Sequence, residues 1–217
     1  MYKKTLAKKG ILLFLFLGAF NIVYAQKNIP LDSAGKQLQG FYLAENVENL
    51  WLAGQHVNWE TGVPDKPFAT KSIKTHCSSF VASVCKQKGI YILRPPAHKT
   101  ELLASAQYNW LFSTDAYQQG WRQIKYSIYK KAQELANRGY IVTAVYGNPN
   151  PKRPGHIAFI MPYEKEIDSL DEEGPTLIQA GATNKNFVSL KNGFKHHISD
   201  WNSATQDIAF FYNVNSK

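Results

Sequence analysis

Near residue 140 the chain changes period, and that change limits what it can fold into. Upstream, apolar residues recur at helical spacing. Phe80, Val81 and Val84 mark one helix, Glu101 to Phe112 a second, and Trp121, Ile124, Ile128, Ala132 and Leu135 share a face of a third over Gln118 to Asn137. Downstream lie short β-prone runs, Tyr140 to Tyr146, His156 to Met161, Thr176 to Ala180 and Asp207 to Tyr212, separated by Gly, Pro and Asn clusters. Helices first and strands afterwards predict an α+β domain, with N-terminal helices packed on an antiparallel β-sheet.

Two stretches precede that domain. Residues 1–25 read as a secretory signal: Lys3, Lys4, Lys8 and Lys9, then the apolar run Ile11 to Phe20, then Val23-Tyr24-Ala25 ahead of Gln26. The run is shorter than the about 20 residues a membrane span needs, and no cysteine near the cut can carry a lipid. A periplasmic or secreted protein without a stable membrane anchor is expected. Residues 26–43 are polar and predict a loosely held N-terminal arm, which leaves 44–217 as the domain. There Ala44 to Leu52 reads as a short helix with Val47, Leu50 and Trp51 inward, stopped by Gly54.

Four of the nine net positive charges sit in the leader, leaving +5 for the rest of the chain. That mild excess suits an anionic polymer such as a cell wall. The 12 Tyr and 12 Phe are spread along the chain and no Lys/Arg run stands out, so nucleic acid is not indicated.

The chemistry concentrates on Thr75-His76-Cys77-Ser78-Ser79-Phe80-Val81. With Thr75 as N-cap, Cys77 opens a helix, where unpaired N–H groups and the helix dipole favour a thiolate. Taken alone, Cys77 reads equally as a small buried residue or as half of a disulfide with Cys85. Eight helical residues span about 12 Å, however, beyond the roughly 7 Å reach of a bridge, so a continuous helix leaves Cys77 free. A cysteine nucleophile needs a base, and His156, delivered to a strand by the loop 147–155, can supply it. Gln179, on the next predicted strand, can accept from the imidazole and fix its tautomer; Asn184, at that strand's exit, is the rival for this role. Asn58 and Trp59, in the loop ahead of the helix, together with His76, are candidates for an oxyanion donor or pocket wall. For Trp59 a packed aromatic turn is an equal reading.

This order of residues resembles the papain-like cell-wall amidases and endopeptidases of the CHAP and NlpC type. His76-Cys77-Ser78-Ser79-Phe80-Val81 looks like that family's D-C-S-G-F-V, and Gly155-His156-Ile157-Ala158-Phe159-Ile160 looks like its G-H-V-A-I-V. The chain departs from the family in having His76 for the usual Asp, Ser79 for Gly, and Gln179 where His, Asn or Glu is common. The insert 89–139 is also longer than a minimal member needs. The resemblance implies a papain-like fold and a cysteine hydrolase acting on amide bonds of peptidoglycan. Cys77 would attack, His156 would shuttle the proton, and the Cys77 N–H would help hold the oxyanion.

A same-fold hydrolase or acyltransferase acting on a non-wall amide or ester is the alternative, and a wall-fragment binding protein without turnover is another. The expected partner is peptidoglycan or a peptide-like substrate, met by a monomer. No cofactor is required. His196-His197, adjacent on what reads as a strand, face opposite sides without an acidic or cysteine cluster, so no metal site is expected.

Overall fold

The structure is a computed structural model and describes residues 27–66 and 75–217. The expected leader lies outside the described residues. No described helix is long and apolar enough to cross a membrane.

The chain runs through β1 (Asn28–Ile29), α1 (Ser33–Ala44), α2 (Cys77–Gln87), α3 (Leu103–Leu111), α4 (Thr114–Gln118), β2 (Trp121–Gln123) and α5 (Ile128–Asn137). It continues with β3 (Val142–Tyr146), β4 (His156–Ile160), β5 (Lys165–Glu166), α6 (Ile167–Glu173), β6 (Thr176–Gln179), β7 (Lys185–Ser189), α7 (Leu190–Gly193), α8 (Ala204–Asp207) and β8 (Ile208–Asn213). Six strands form one antiparallel sheet in the order β2-β8-β3-β4-β6-β7, and β1 pairs with β5 apart from it. The α+β expectation holds, and all four predicted strands form, within two residues of their expected ends.

The pleat sorts the core into two clusters. Ile157 and Phe159 of β4 face α2, in one cluster with Phe80, Val81 and Val84. Ala158 and Ile160 face the other way, in a second cluster with Ala132 and Leu135 of α5 and Phe194 just after α7. Helices thus cover both faces of the sheet. Every residue from Cys77 to Cys85 is buried, so α2 has no solvent face over its first nine residues. It lies on β4 and against α3. The Phe80 ring meets Trp51 at 5.2 Å and Phe159 at 5.8 Å.

Several expectations are corrected. The described part of the expected arm, residues 27–43, is not loose: Asp32 caps α1 by accepting from the Gly35 N–H at 2.8 Å, and Leu38 and Tyr42, four apart, bury one helical face. Polar composition concealed that narrow stripe. Residues 45–52 are turns rather than a helix, with left-handed backbone at Asn46 and Trp51, although Val47 and Trp51 are buried as expected. The helix expected over 118–137 splits at Gly120, whose φ of +90° ends α4 and lets Trp121 start β2. The helical spacing continues across that break, which is why the sequence reads as one helix. Strands β1, β2, β5 and β7 are too short, or too polar, to stand out in the sequence.

Left-handed backbone costs a non-glycine residue roughly 1–2 kcal/mol. Among the described residues four non-glycines adopt it: Asn46, Trp51, Leu102 and Ser127.

Candidate functional site

Cys77 opens α2, with His76 rather than Thr75 in the cap position and no side-chain capping bond from it. Both cysteines are free thiols. Cys77 is 3% exposed. Burial pushes its thiol above the usual cysteine range, and the backbone N–H groups of Ile157, Ser78 and Cys77, which act on the sulfur, only partly oppose that. The helix N-terminus therefore contributes as expected, but desolvation outweighs it, and the resting group is a thiol rather than the expected thiolate. Because the Ile157 N–H reaches the sulfur, Cys77 sits against the residue that follows His156.

His156 is 5% exposed. The pleat sends its ring to the face opposite α2. There Phe194 meets it edge-on at 4.6 Å and His197 stacks on it at 5.2 Å with 12° between the planes. The imidazole is lowered to about 4, chiefly by burial and also by the neighbouring His197, with the bond to Gln179 partly opposing both. No hydrogen bond joins the Cys77 sulfur to the His156 ring among the described residues. The thiol lies on the face of the sheet that α2 covers, and the imidazole turns to the other face at the start of β4.

Gln179 and Asn184 separate cleanly. Gln179 Oε1 lies 3.0 Å from His156 Nε2, and its Nε2 donates to the Thr183 carbonyl at 3.2 Å. A carbonyl only accepts, so Thr183 fixes the amide and presents Oε1 to the ring. His156 Nε2 then carries the proton, and Nδ1 is left with the lone pair. Asn184 instead donates to the Val47 and Leu50 carbonyls at 2.7 and 2.8 Å and accepts from the Gly181 N–H at 2.9 Å. It ties the strand exit to the 45–52 turns and does not touch the imidazole.

A cleft of about 360 Å³ opens beside the first turn of α2; His76, Ser79, Leu102, Lys152 and Pro154 are among its walls. His76 therefore lies where a pocket residue was expected, and its Nε2 lies 2.9 Å from the Gln55 carbonyl. Asn58 and Trp59 do not line the cleft, and neither do Cys77, His156 and Gln179; it meets the nucleophile's segment through His76 and Ser79, which stand before and after Cys77 in the chain. Asn58 Oδ1 accepts from the Glu60 and Thr61 N–H groups as a turn former, and the partly buried Trp59 packs on the core, where its carbonyl accepts from Trp51 Nε1 at 3.1 Å. The packed-turn reading of Trp59 is the one observed.

Sequence reasoning missed the segment after β7. His196 and His197 lie in a turn after α7, not on a strand. Phe194 and His197 enclose the imidazole, and a Cβ on Gly193 would stand 2.8 Å from Gln179 Oε1. The two adjacent histidines were the available signal; weighed only as metal ligands, they gave no hint of packing on His156.

No protein-family model matches this chain, and no curated protein matches it as a relative.

Proposed function

We propose that the chain is a secreted, papain-like cysteine amidohydrolase of the CHAP and NlpC type that cleaves an amide bond in peptidoglycan. The observation that carries this reading is the Thr183-oriented bond between Gln179 and His156. It leaves Nδ1 as a free base on a strand whose next backbone N–H reaches the Cys77 sulfur. The likeness of the residues around Cys77 and His156 to the family's motifs, the leader-like N-terminus and the mild positive charge support the class of substrate.

In this mechanism a substrate amide enters by the cleft. The thiol proton passes to His156 Nδ1 as the sulfur attacks the carbonyl carbon, and the developing oxyanion is held at the start of α2 by N–H groups of its first turn. Collapse breaks the C–N bond as Nδ1 returns the proton to the leaving amine. Water, deprotonated at Nδ1, then cleaves the thioester and restores the thiol. Gln179 holds the imidazole orientation throughout.

The missing thiol–imidazole bond favours a second reading, a protein of this fold that binds wall fragments without turnover. Mass spectrometry of muropeptides after incubation with purified peptidoglycan separates the two. Fragments that appear with the wild type and not with Cys77→Ala support the hydrolase. Their absence, with wall fragments still raising the melting temperature, supports the binder.

A further inference from the structure

Leu102 is placed at a cost that nothing among the described residues explains. Its φ of +53° is left-handed backbone, and it stands in the N-cap position of α3 without a side-chain capping bond. Glycine or asparagine would suit both demands better. The other three left-handed non-glycines have a reason. Asn46 and Ser127 are short and polar, and Trp51 is 1% exposed with its Nε1 hydrogen-bonded to the Trp59 carbonyl. Leu102 is 40% exposed and belongs to neither core cluster. It lines the cleft beside the first turn of α2, as do the apolar residues Val57 and Pro154.

Strain held at an exposed apolar residue in a cleft points to a ligand contact. We propose that Leu102 is a specificity-determining residue that packs against an apolar side chain of the substrate, beside the bond attacked by Cys77. This rests on the hydrolase reading and deepens it. The substrate class it selects is a peptide or acyl-amino-acid chain with an aliphatic side chain next to the scissile carbonyl, on its acyl side or on the amine side. Glu101 and Lys152, which also line the cleft, supply one charge of each sign and leave the apolar contact as the main discriminator.

The test uses the p-nitrophenyl esters of N-acetyl-leucine and N-acetyl-glycine, with leucinamide or glycinamide added as competing amine acceptors. The esters read the acyl side, and partition of the acyl-enzyme between the two amines reads the amine side. The wild type should prefer leucine about tenfold on one side. Leu102→Asn should erase that preference without lowering the melting temperature, and Leu102→Met should retain it. A preference that survives Leu102→Asn, an absence of preference on both sides, or a melting temperature that falls in Leu102→Asn overturns the role of Leu102 while leaving the hydrolase intact. If no Cys77-dependent turnover of either ester occurs, the hydrolase reading falls, and the role of Leu102 falls with it.

Discussion

At the scale of single residues, burial makes the thiol and imidazole a neutral pair. With the ring lowered to about 4, kcat/KM should keep its value down to about pH 5 and fall as the pH drops through 4, well below the ordinary histidine range. With the thiol raised, alkylation of Cys77 by iodoacetamide should accelerate only in the alkaline range, with no plateau at mildly acidic pH. An acid plateau would reveal a standing thiolate–imidazolium pair. The same shift bears on stability. The unfolded ring binds its proton near pH 6.5 and the folded ring near 4, so the unfolded state holds more protons between them, and stability is lost as the pH falls through that window. Gln179 and Asn184 should part under substitution. Gln179→Ala should lower kcat by up to about 100-fold at unchanged KM, by freeing the ring. Asn184→Ala should cost about 1–3 kcal/mol of stability, by stranding backbone carbonyls, and leave the pH profile alone.

At the scale of elements, α7 and the turn after it back the pair formed by β4 and β6. Gly193→Ala would push a methyl group toward Gln179 Oε1 and should lower kcat with little change in KM. Gly40, at an exposed position of α1 with nothing within 4 Å of its would-be Cβ, is the control; Gly40→Ala should raise stability by about 0.5–1 kcal/mol and leave kcat unchanged. Equal loss of kcat in both variants would remove the special place given to α7. The elements also show what the sequence made legible. The helix of Cys77, the strand of His156 and the strand of Gln179 were readable because each carries an unbroken period over four or more residues. The segment from Leu190 to His197 was not, because Phe194 and His197 act through a turn that has no period. Leu102 was equally hidden, since its backbone angle leaves no trace in composition.

At the scale of the whole molecule, a polar network in the interior joins the termini of distant segments. Asn137 donates to the carbonyls of Ile29, Pro30 and Tyr163 and accepts from the Tyr163 N–H, while Gln133 donates to the Met161 carbonyl and accepts from the Thr176 N–H. One carboxamide thus secures β1, the entry to α1 and the segment ahead of β5. Asn137→Ala leaves several buried groups without partners at once and should cost at least about 3 kcal/mol, read as a lowered melting temperature, with kcat unchanged at permissive temperature. Sequence reasoning placed a loose arm where this network anchors the chain, because a single asparagine at the end of a helix gives no sign of the partners it will find.

The complete burial of α2 from Cys77 to Cys85 has a consequence for how such a protein can change over time or be engineered. A helix with one solvent face lets stability drift without disturbing chemistry, since exposed positions absorb substitutions. Here every position in the nine residues that carry the nucleophile touches the interior, so selection for folding and selection for turnover act on the same side chains. A variant library spread over α2 should yield few sequences that fold and fail to react. Gains in robustness should be found elsewhere, on surfaces such as that of α1, where substitutions leave the start of α2 where it is.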